Sequence, residues 1–388
     1  MERQCTKLTS MTWVVRASLL KKKSVWALLA AGLLMGCSMQ EGDAPETSCP
    51  IGFQVTAAAV ESRSAYETTS ENLKDRSLEV YAFAEDGRPF MGRPGGEDAS
   101  SLSEGVEICH DGIGWNYADP ADKAYWPTGS LDFIAFHPKL KATPGYSLQV
   151  TSPTKQTLRY ALSQIPERQI DVLYAIHRHV TREMHQGKAP LHFHHALTQA
   201  SFLARTELPS LEIDIEDLKI HNLAFYGALT LPSGAETISQ SDWAPGDKVT
   251  LDYSPKRLPA AIEHISSQPV GVSQQLYLPQ VLTAWNPAQQ SIREADAARH
   301  SYLSVLCRIR QHGVYLWGDA QHYERMFIPF AASWEPGKRY VYTLTFGGGY
   351  DETGQKVMAP LGFDVQEAVW DSQSSDVPVV PLNRGLQE

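Results

Sequence analysis

A two-residue alternation of apolar and polar side chains recurs along most of the chain, which predicts half-buried strands. It runs through Ile51–Val55, Leu78–Phe83 and Leu131–Phe136, each bounded by Gly, Pro, Asp or Asn, and continues in Asp171–Ile176 and His192–Leu203. The cleanest stretch, Leu211-Glu212-Ile213-Asp214-Ile215-Glu216, reads as a strand with one wet face. Leu218–Leu229 follows as another short strand with a turn at Gly227. Beyond it come Lys248–Tyr253, Gln275–Pro279, Tyr302–Ile309, Arg325–Pro329, Tyr340–Phe346 and Leu361–Trp370. Only Pro255–Ile265 and Ala288–Arg299 offer helices, both short. Nothing reads as a βαβ unit. Gly347-Gly348-Gly349 precedes no helix, so it predicts a hairpin tip rather than a phosphate loop. Short strands between turn signals predict an all-β chain of β-sandwich domains. The loop-rich join from Pro232 to Asp247 divides it into residues 51–230 and 231–388, unless that join is a hairpin of the second domain.

The first residues follow a different pattern. Lys21-Lys22-Lys23 precedes the apolar run Val25–Leu33, which leads into Leu34-Met35-Gly36-Cys37. A basic segment, a short apolar segment and small residues at the cut predict a bacterial signal peptide over residues 1–36. The run is too short for a bilayer span, which needs about 20 residues. A cysteine at the cut predicts a lipoprotein, with Cys37 carrying a diacylglyceryl group and an N-acyl chain, enough for stable anchoring. The alternatives are an ordinary signal peptide with an incidental cysteine, and an uncleaved helix. Residues 37–50 are polar and acidic and read as a tether.

Composition narrows the function. The 388 residues are 43% hydrophobic and 20% charged, with a net charge of -10. This suits a well-cored protein and gives no basic stripe for nucleic acid. Beyond Cys5 and Cys37, the cysteines Cys49, Cys109 and Cys307 permit one disulfide and one free thiol, and no CxxC pair occurs.

Side chains that carry chemistry are present but poorly placed for it. His192 and His194 share a strand face, His195 points the other way, and His177 and His179 form a second pair on a plausible neighbouring strand. Four converging imidazoles would hold zinc or copper, yet no Cys or Glu falls at a ligand spacing and HExxH is absent. Glu212, Asp214 and Glu216 share a face like a glycosidase pair, but regular alternation makes them an exposed sheet face. Cys109-His110-Asp111 holds triad residue types whose side chains diverge on an extended strand. No GxSxG elbow occurs. No catalytic residue, metal or cofactor is therefore expected. Trp115, Tyr117, Tyr125 and Trp126 cluster in a loop-like region, as core packing, a lid over a sandwich end, or a contact for sugar or host surface.

Several segments, taken in order, resemble a known family. They are the lipobox Leu34–Cys37 with Ile51-Gly52-Phe53, Leu78–Phe83, Trp126-Pro127 with Leu131–Pro138, Asp171–Ala175, and Leu191–Phe202. Leu276–Gln280, Trp334–Leu344 and Val369-Trp370 complete the series. The chain resembles the fimbrillin-like family of Bacteroidales, whose members are subunits and anchors of protease-assembled pili. The resemblance implies two tandem transthyretin-like β-sandwiches with Greek-key connections. It implies export as an outer-membrane lipoprotein to the cell surface, then a cut by an Arg-specific protease. Arg63, in Glu61-Ser62-Arg63-Ser64-Ala65, is the candidate cleavage site, with Arg76 as competitor. The cut would free a strand bearing Ile51, Phe53 and Val55, and a neighbouring subunit's strand would take its groove by β-augmentation.

The candidate donor tail carries Val377, Val379 and Leu382, but Pro378 and Pro381 interrupt any ladder. That fits a tip or accessory subunit better than a stalk. The implied partners are other fimbrial subunits, the outer membrane through the N-terminal lipid before processing, and a host or bacterial surface ligand. Two other classes compete: a monomeric surface-anchored glycan- or protein-binding lipoprotein, and a metal-dependent or glycoside hydrolase on a β-sandwich.

Overall fold

The computed structural model describes residues 49–57, 68, 72–94, 102–139, 146–152, 155–163, 165, 168–248, 265–346, 349–358 and 362–369. Cys37, Arg63, Val377, Val379 and Leu382 lie outside the described residues, as do the 1–36 leader, most of the 37–50 tether and the expected helix from Pro255.

The chain is dominated by strands, and seven of them close a ring. They are β1 (Gly52–Ala57), β2 (Leu78–Ala84), β3 (Val106–His110), β4 (Trp115–Tyr117), β5 (Leu131–His137), β6 (Leu173–Val180) and β7 (Lys188–His195). Around the ring the order is β2-β3-β4-β1-β7-β6-β5, and β5 returns to pair with β2. Closure leaves no free edge along that path, which is how a barrel avoids open pairing. Inside lie Leu78, Val80, Phe133, Ala135, Leu173, Leu191 and Phe193, together with Ile51 and Phe53.

The ring strands explain why alternation is blurred in Leu78–Phe83 and Leu131–Phe136. Leu78, Val80 and Ala82 point into the ring, whereas Tyr81 and Phe83 point outward into a second core. That outer core is covered by a sheet containing Lys155–Ala161, Tyr226–Thr230 and Trp243–Pro245, through Leu158, Tyr160, Leu229 and Trp243. A strand buried on both faces needs apolar side chains at successive positions.

The later residues build two further sheets. One holds β8 (Thr198–Thr206), β10 (Val270–Tyr277), β13 (Lys338–Phe346) and β14 (Gly362–Val369), in the order β10-β8-β13-β14. The other begins with β9 (Leu211–His221), β11 (Tyr302–Gln311) and β12 (Glu324–Pro329). Phe202, stacked on Tyr342 at 5.2 Å, packs with Phe330, Trp334, Ile213, Val305 and Ile309 in one core.

Two predicted strands change at identifiable residues. His192–Leu203 is not one strand: the chain breaks at Ala196-Leu197 into β7 and β8, which join different sheets. Leu211–Glu216 does not stop where its alternation stops. It continues to His221 past a bulge, because Ile215 pairs with Cys307 while Asp217 pairs with Leu306. The extra residue, Glu216, switches the buried parity from Ile213 and Ile215 to Leu218 and Ile220. The expected helix over Ala288–Arg299 is present as Ile292–Ala298, with a capping box between Ser291 and Glu294.

The sheets do not divide in chain order at residue 230. Strands β8 and β9, which precede it, pair with β10, β13 and β11, whereas Trp243–Pro245, which follows it, pairs with Tyr226–Thr230. Leu276 and Leu278 complete the core over the ring's outer face.

Candidate functional site: the seat of the first strand

β1 is held unequally by its two neighbours in the ring. Ile51, just before the strand, and Phe53 within it are 1% and 6% exposed, and Val55 is half-buried against the same core. Burying side chains of this size stabilises by about 1.5–3 kcal/mol each. Its main chain is held asymmetrically. On one flank it runs parallel to β7 from Gly52↔Lys188 to Ala57↔Phe193. On the other it meets β4 at a single pair, Phe53↔Trp115. Parallel pairing is slightly weaker per residue than antiparallel pairing, so side chains rather than ladder bonds dominate the hold on this strand.

The entry to the strand is closely fitted. Ile51 N–H donates to the Ala124 carbonyl at 3.0 Å and Gly52 N–H to the Gly187 carbonyl at 2.9 Å. Trp126 N–H donates to the Cys49 carbonyl at 3.0 Å, and its Nε1–H to Gly187 O at 2.9 Å. Tyr117 donates its hydroxyl to the Ile51 carbonyl at 3.1 Å and packs T-shaped against the Phe53 ring at 5.2 Å. Burial pushes the Tyr117 phenol up to about 12, so it remains a donor at neutral pH. A side chain at Gly52 would place its Cβ 3.2 Å from Lys188 Cγ, so the second position takes only a small residue without displacing Lys188. On the outer face, Thr56 Oγ1 and His192 Nδ1 hydrogen-bond across the β1–β7 seam.

Trp115, Tyr117 and Trp126 wrap β1, and Trp126 also meets Phe133 at 5.8 Å inside the ring. Tyr125 is 44% exposed and bridges Pro50. Sequence reading found the cluster but not its occupant. The available signal was Trp115-Asn116-Tyr117, a short alternation placed after the Gly112 and Gly114 turn.

The other predicted groups do not converge. His192 and His194 sit with ring centres 5.8 Å apart, and His194 rests near Tyr174 at 5.7 Å. His177 pairs with Glu236 at 3.2 Å, and His179 approaches Asp132 at 3.8 Å. His195 points inward and pairs with buried Asp171 at 3.0 Å. Among the described residues, no group of three His, Cys, Asp or Glu side chains could hold a metal.

The carboxylate row of β9 faces arginines rather than a cleft: Glu212 meets Arg310 at 2.7 Å and Asp214 meets Arg308 at 2.8 Å. Asp214 is nevertheless buried, so that face is less wet than its alternation predicts. Asp111 shapes a turn, accepting N–H bonds from Ile113 at 2.8 Å and Gly114 at 2.9 Å, which hold its carboxyl below the usual range. His110 turns instead to the Trp115 ring at 5.3 Å. Cys49 and Cys307 are free thiols, and Cys307 is buried. Arg76 is exposed and follows the 3-10 turn Asn72–Asp75, whose Leu73 is buried in the ring core. No helix of the described residues is long and apolar enough to cross a membrane.

The geometry thus seats β1 among apolar and aromatic side chains of the ring, and among the described residues no metal-holding group of His, Cys, Asp or Glu side chains converges. No curated protein matches the chain. Among solved structures, it is similar to a fimbrial protein from Bacteroides vulgatus: 13% identity, covering 83% of this chain and 99% of that one, TM-score 0.49. It is also similar to the tip fimbrial protein Mfa3 from Porphyromonas gingivalis with C-terminal truncation: 8% identity, covering 83% and 100%, TM-score 0.38. The profile described as fimbrillin-like matches residues 67–360, well over half of the sequence, and the chain therefore belongs to the fimbrillin-like family.

Proposed function

We propose that this protein is a fimbrial subunit, of tip or accessory type, assembled by exchange of its first strand and not a catalyst. In this reading it is exported as a lipoprotein through Cys37 to the outer membrane and cell surface, and a cut after Arg63 severs the lipid and β1 together. The ring then opens between β4 and β7, exposing the places of Ile51 and Phe53 and two unpaired strand edges. Both are costly in water, and a strand from another subunit relieves them. The observation that carries this reading is the asymmetry of β1: deeply buried side chains, with a one-sided ladder.

The seat also defines what would fit it. A replacement in the register of β1 needs a large apolar residue, a small one, an aromatic one to meet Tyr117, a free position, and a β-branched residue. Its second residue needs an N–H for Gly187 O. The chain's own tail reads poorly against that pattern. With Val377 and Val379 in the places of Ile51 and Phe53, Pro378 falls where Gly52 donates its N–H. The partner is accordingly a different subunit, which suits a terminal or accessory position.

The tandem transthyretin-like arrangement with Greek-key connections belongs to the same reading. The ring and its covering sheet form a first unit seated chiefly on residues 51–230. The other two sheets form a second unit on residues 231–388 that borrows β8 and β9. N-terminal sequencing of protein released from the surface tests the proposal. A terminus at Ser64 is expected, and an acylated Cys37 retained in assembled material would sink it in favour of a permanently anchored binding lipoprotein.

A further inference from the structure

The chain returns to the same end of β7 after leaving it. Ala57 closes the β1 ladder opposite Phe193. Thr68, itself buried, donates its N–H to Asp171 Oδ2 at 2.9 Å. Asp171 is paired in turn with His195 Nδ1 at 3.0 Å, two residues beyond Phe193 on β7. The Asp171 and His195 side chains are 1% and 2% exposed. A carboxylate this deeply buried is stable only when paired and hydrogen-bonded. Here one partner is a side chain of the ring, and the other is the main chain just upstream of the Asn72–Asp75 turn. Leu73 of that turn is buried in the same ring core.

We propose that Asp171 is the positioning residue that separates the severable strand from the retained chain, so that β1 leaves while residues from Thr68 onward stay seated. This rests on the reading that β1 is surrendered after a cut, and it adds where the surrendered segment ends. Without the anchor, loss of β1 would also release the Asn72–Asp75 turn, and Leu73 would leave the core with it. Arg76, already exposed, would then become cleavable as well. With the anchor, a cut after Arg63 yields one defined product.

The test is amide hydrogen exchange on the secreted chain, before and after limited trypsin cleavage, in the wild type and in Asp171→Ala and Asp171→Asn. In the uncut wild type, Thr68 is protected, and Asp171→Ala speeds its exchange about tenfold or more, the size expected for losing a buried bond to a charged acceptor. Asp171→Asn keeps an acceptor oxygen and recovers part of the protection, which also covers the case in which the alanine variant fails to fold. After the cut, the wild type loses protection over Gly52–Thr56, keeps it at Thr68 and Leu73, and is not cleaved after Arg76. Asp171→Ala loses protection at both and is cleaved at both arginines. Unchanged Thr68 exchange in Asp171→Ala, with β2 equally protected, overturns the proposal. If instead β1 stays protected in the cut wild type, the strand-surrender reading fails. The anchor is then decided on the uncut chains alone by the same Thr68 comparison.

Discussion

Phe53→Ala isolates the interaction that holds β1 in place. The ring of Phe53 is nearly inaccessible, meets the Tyr117 ring in a T-shaped contact at 5.2 Å and sits opposite Trp115 across the single pair with β4. Truncating a buried phenylalanine typically costs about 3–5 kcal/mol, combining lost transfer energy with the cavity left behind. The lower end applies here, because the opened space borders a flank with little ladder and can partly collapse. Each ~1.4 kcal/mol is a factor of ten, so about 3 kcal/mol raises the population with β1 detached roughly a hundredfold. Two measurements read this out: the urea midpoint of the first transition, and exchange of the Gly52–Thr56 amides relative to β2. Gln54→Ala, on the exposed face of the same strand, is the control and should move stability by no more than about 0.5 kcal/mol. If Phe53→Ala costs under about 1 kcal/mol, or if the β1 amides exchange at the wild-type rate, side-chain burial does not hold the strand and the reasoning fails.

Three other outcomes follow from groups away from the seat. Burial drives the His137 imidazole down to about 4, against the Ser77 carbonyl bond that raises it, so the folded state keeps it neutral while the unfolded state protonates near 6.5. The unfolded chain then binds more protons between those values. Stability should fall by about 3 kcal/mol as pH drops through that window, and His137→Gln should flatten the slope in pH-dependent urea melts. Gly105→Ala would put a Cβ 2.6 Å from Glu79 Cγ and 2.9 Å from the Val80 carbonyl, beside the buried Glu79 that accepts the Gly105 N–H at 2.7 Å. A loss of about 1–3 kcal/mol is expected by calorimetry, and a wild-type melting curve would contradict that packing. Burial also lifts the Cys307 thiol to about 12, so a maleimide should label Cys49 in the native protein and Cys307 only on unfolding.

Local pattern carried the strands, whereas pairing had to be seen. The parity switch from Ile213 and Ile215 to Leu218 and Ile220 is written in the sequence, yet it reads as two strands unless a bulge is allowed. Leu78–Phe83 and Leu131–Phe136 were legible as strands, but their double-sided burial followed only from the sheet that covers the ring. The seat of β1 was least legible, because Thr56 meets His192 across 136 positions of sequence and periodicity holds no record of which strand lies beside which. The aromatic cluster shows the same gap: its residues were recognised, while the strand they enclose lies more than fifty positions earlier. The inward-facing His195 and its neighbours His192 and His194 were placed on opposite faces correctly, since a strand's side chains must alternate.

The interleaving of strands across residue 230 has a mechanical meaning. Among the described residues, β8 is gripped between β10 and β13, and Trp243 donates its indole N–H to the Ala196 carbonyl at 3.0 Å, at the turn between β7 and β8. Extension would have to shear whole ladders lengthwise instead of unzipping them pair by pair. A fragment ending at Thr230 would part β8 and β9 from β10, β13 and β11, the strands they pair with.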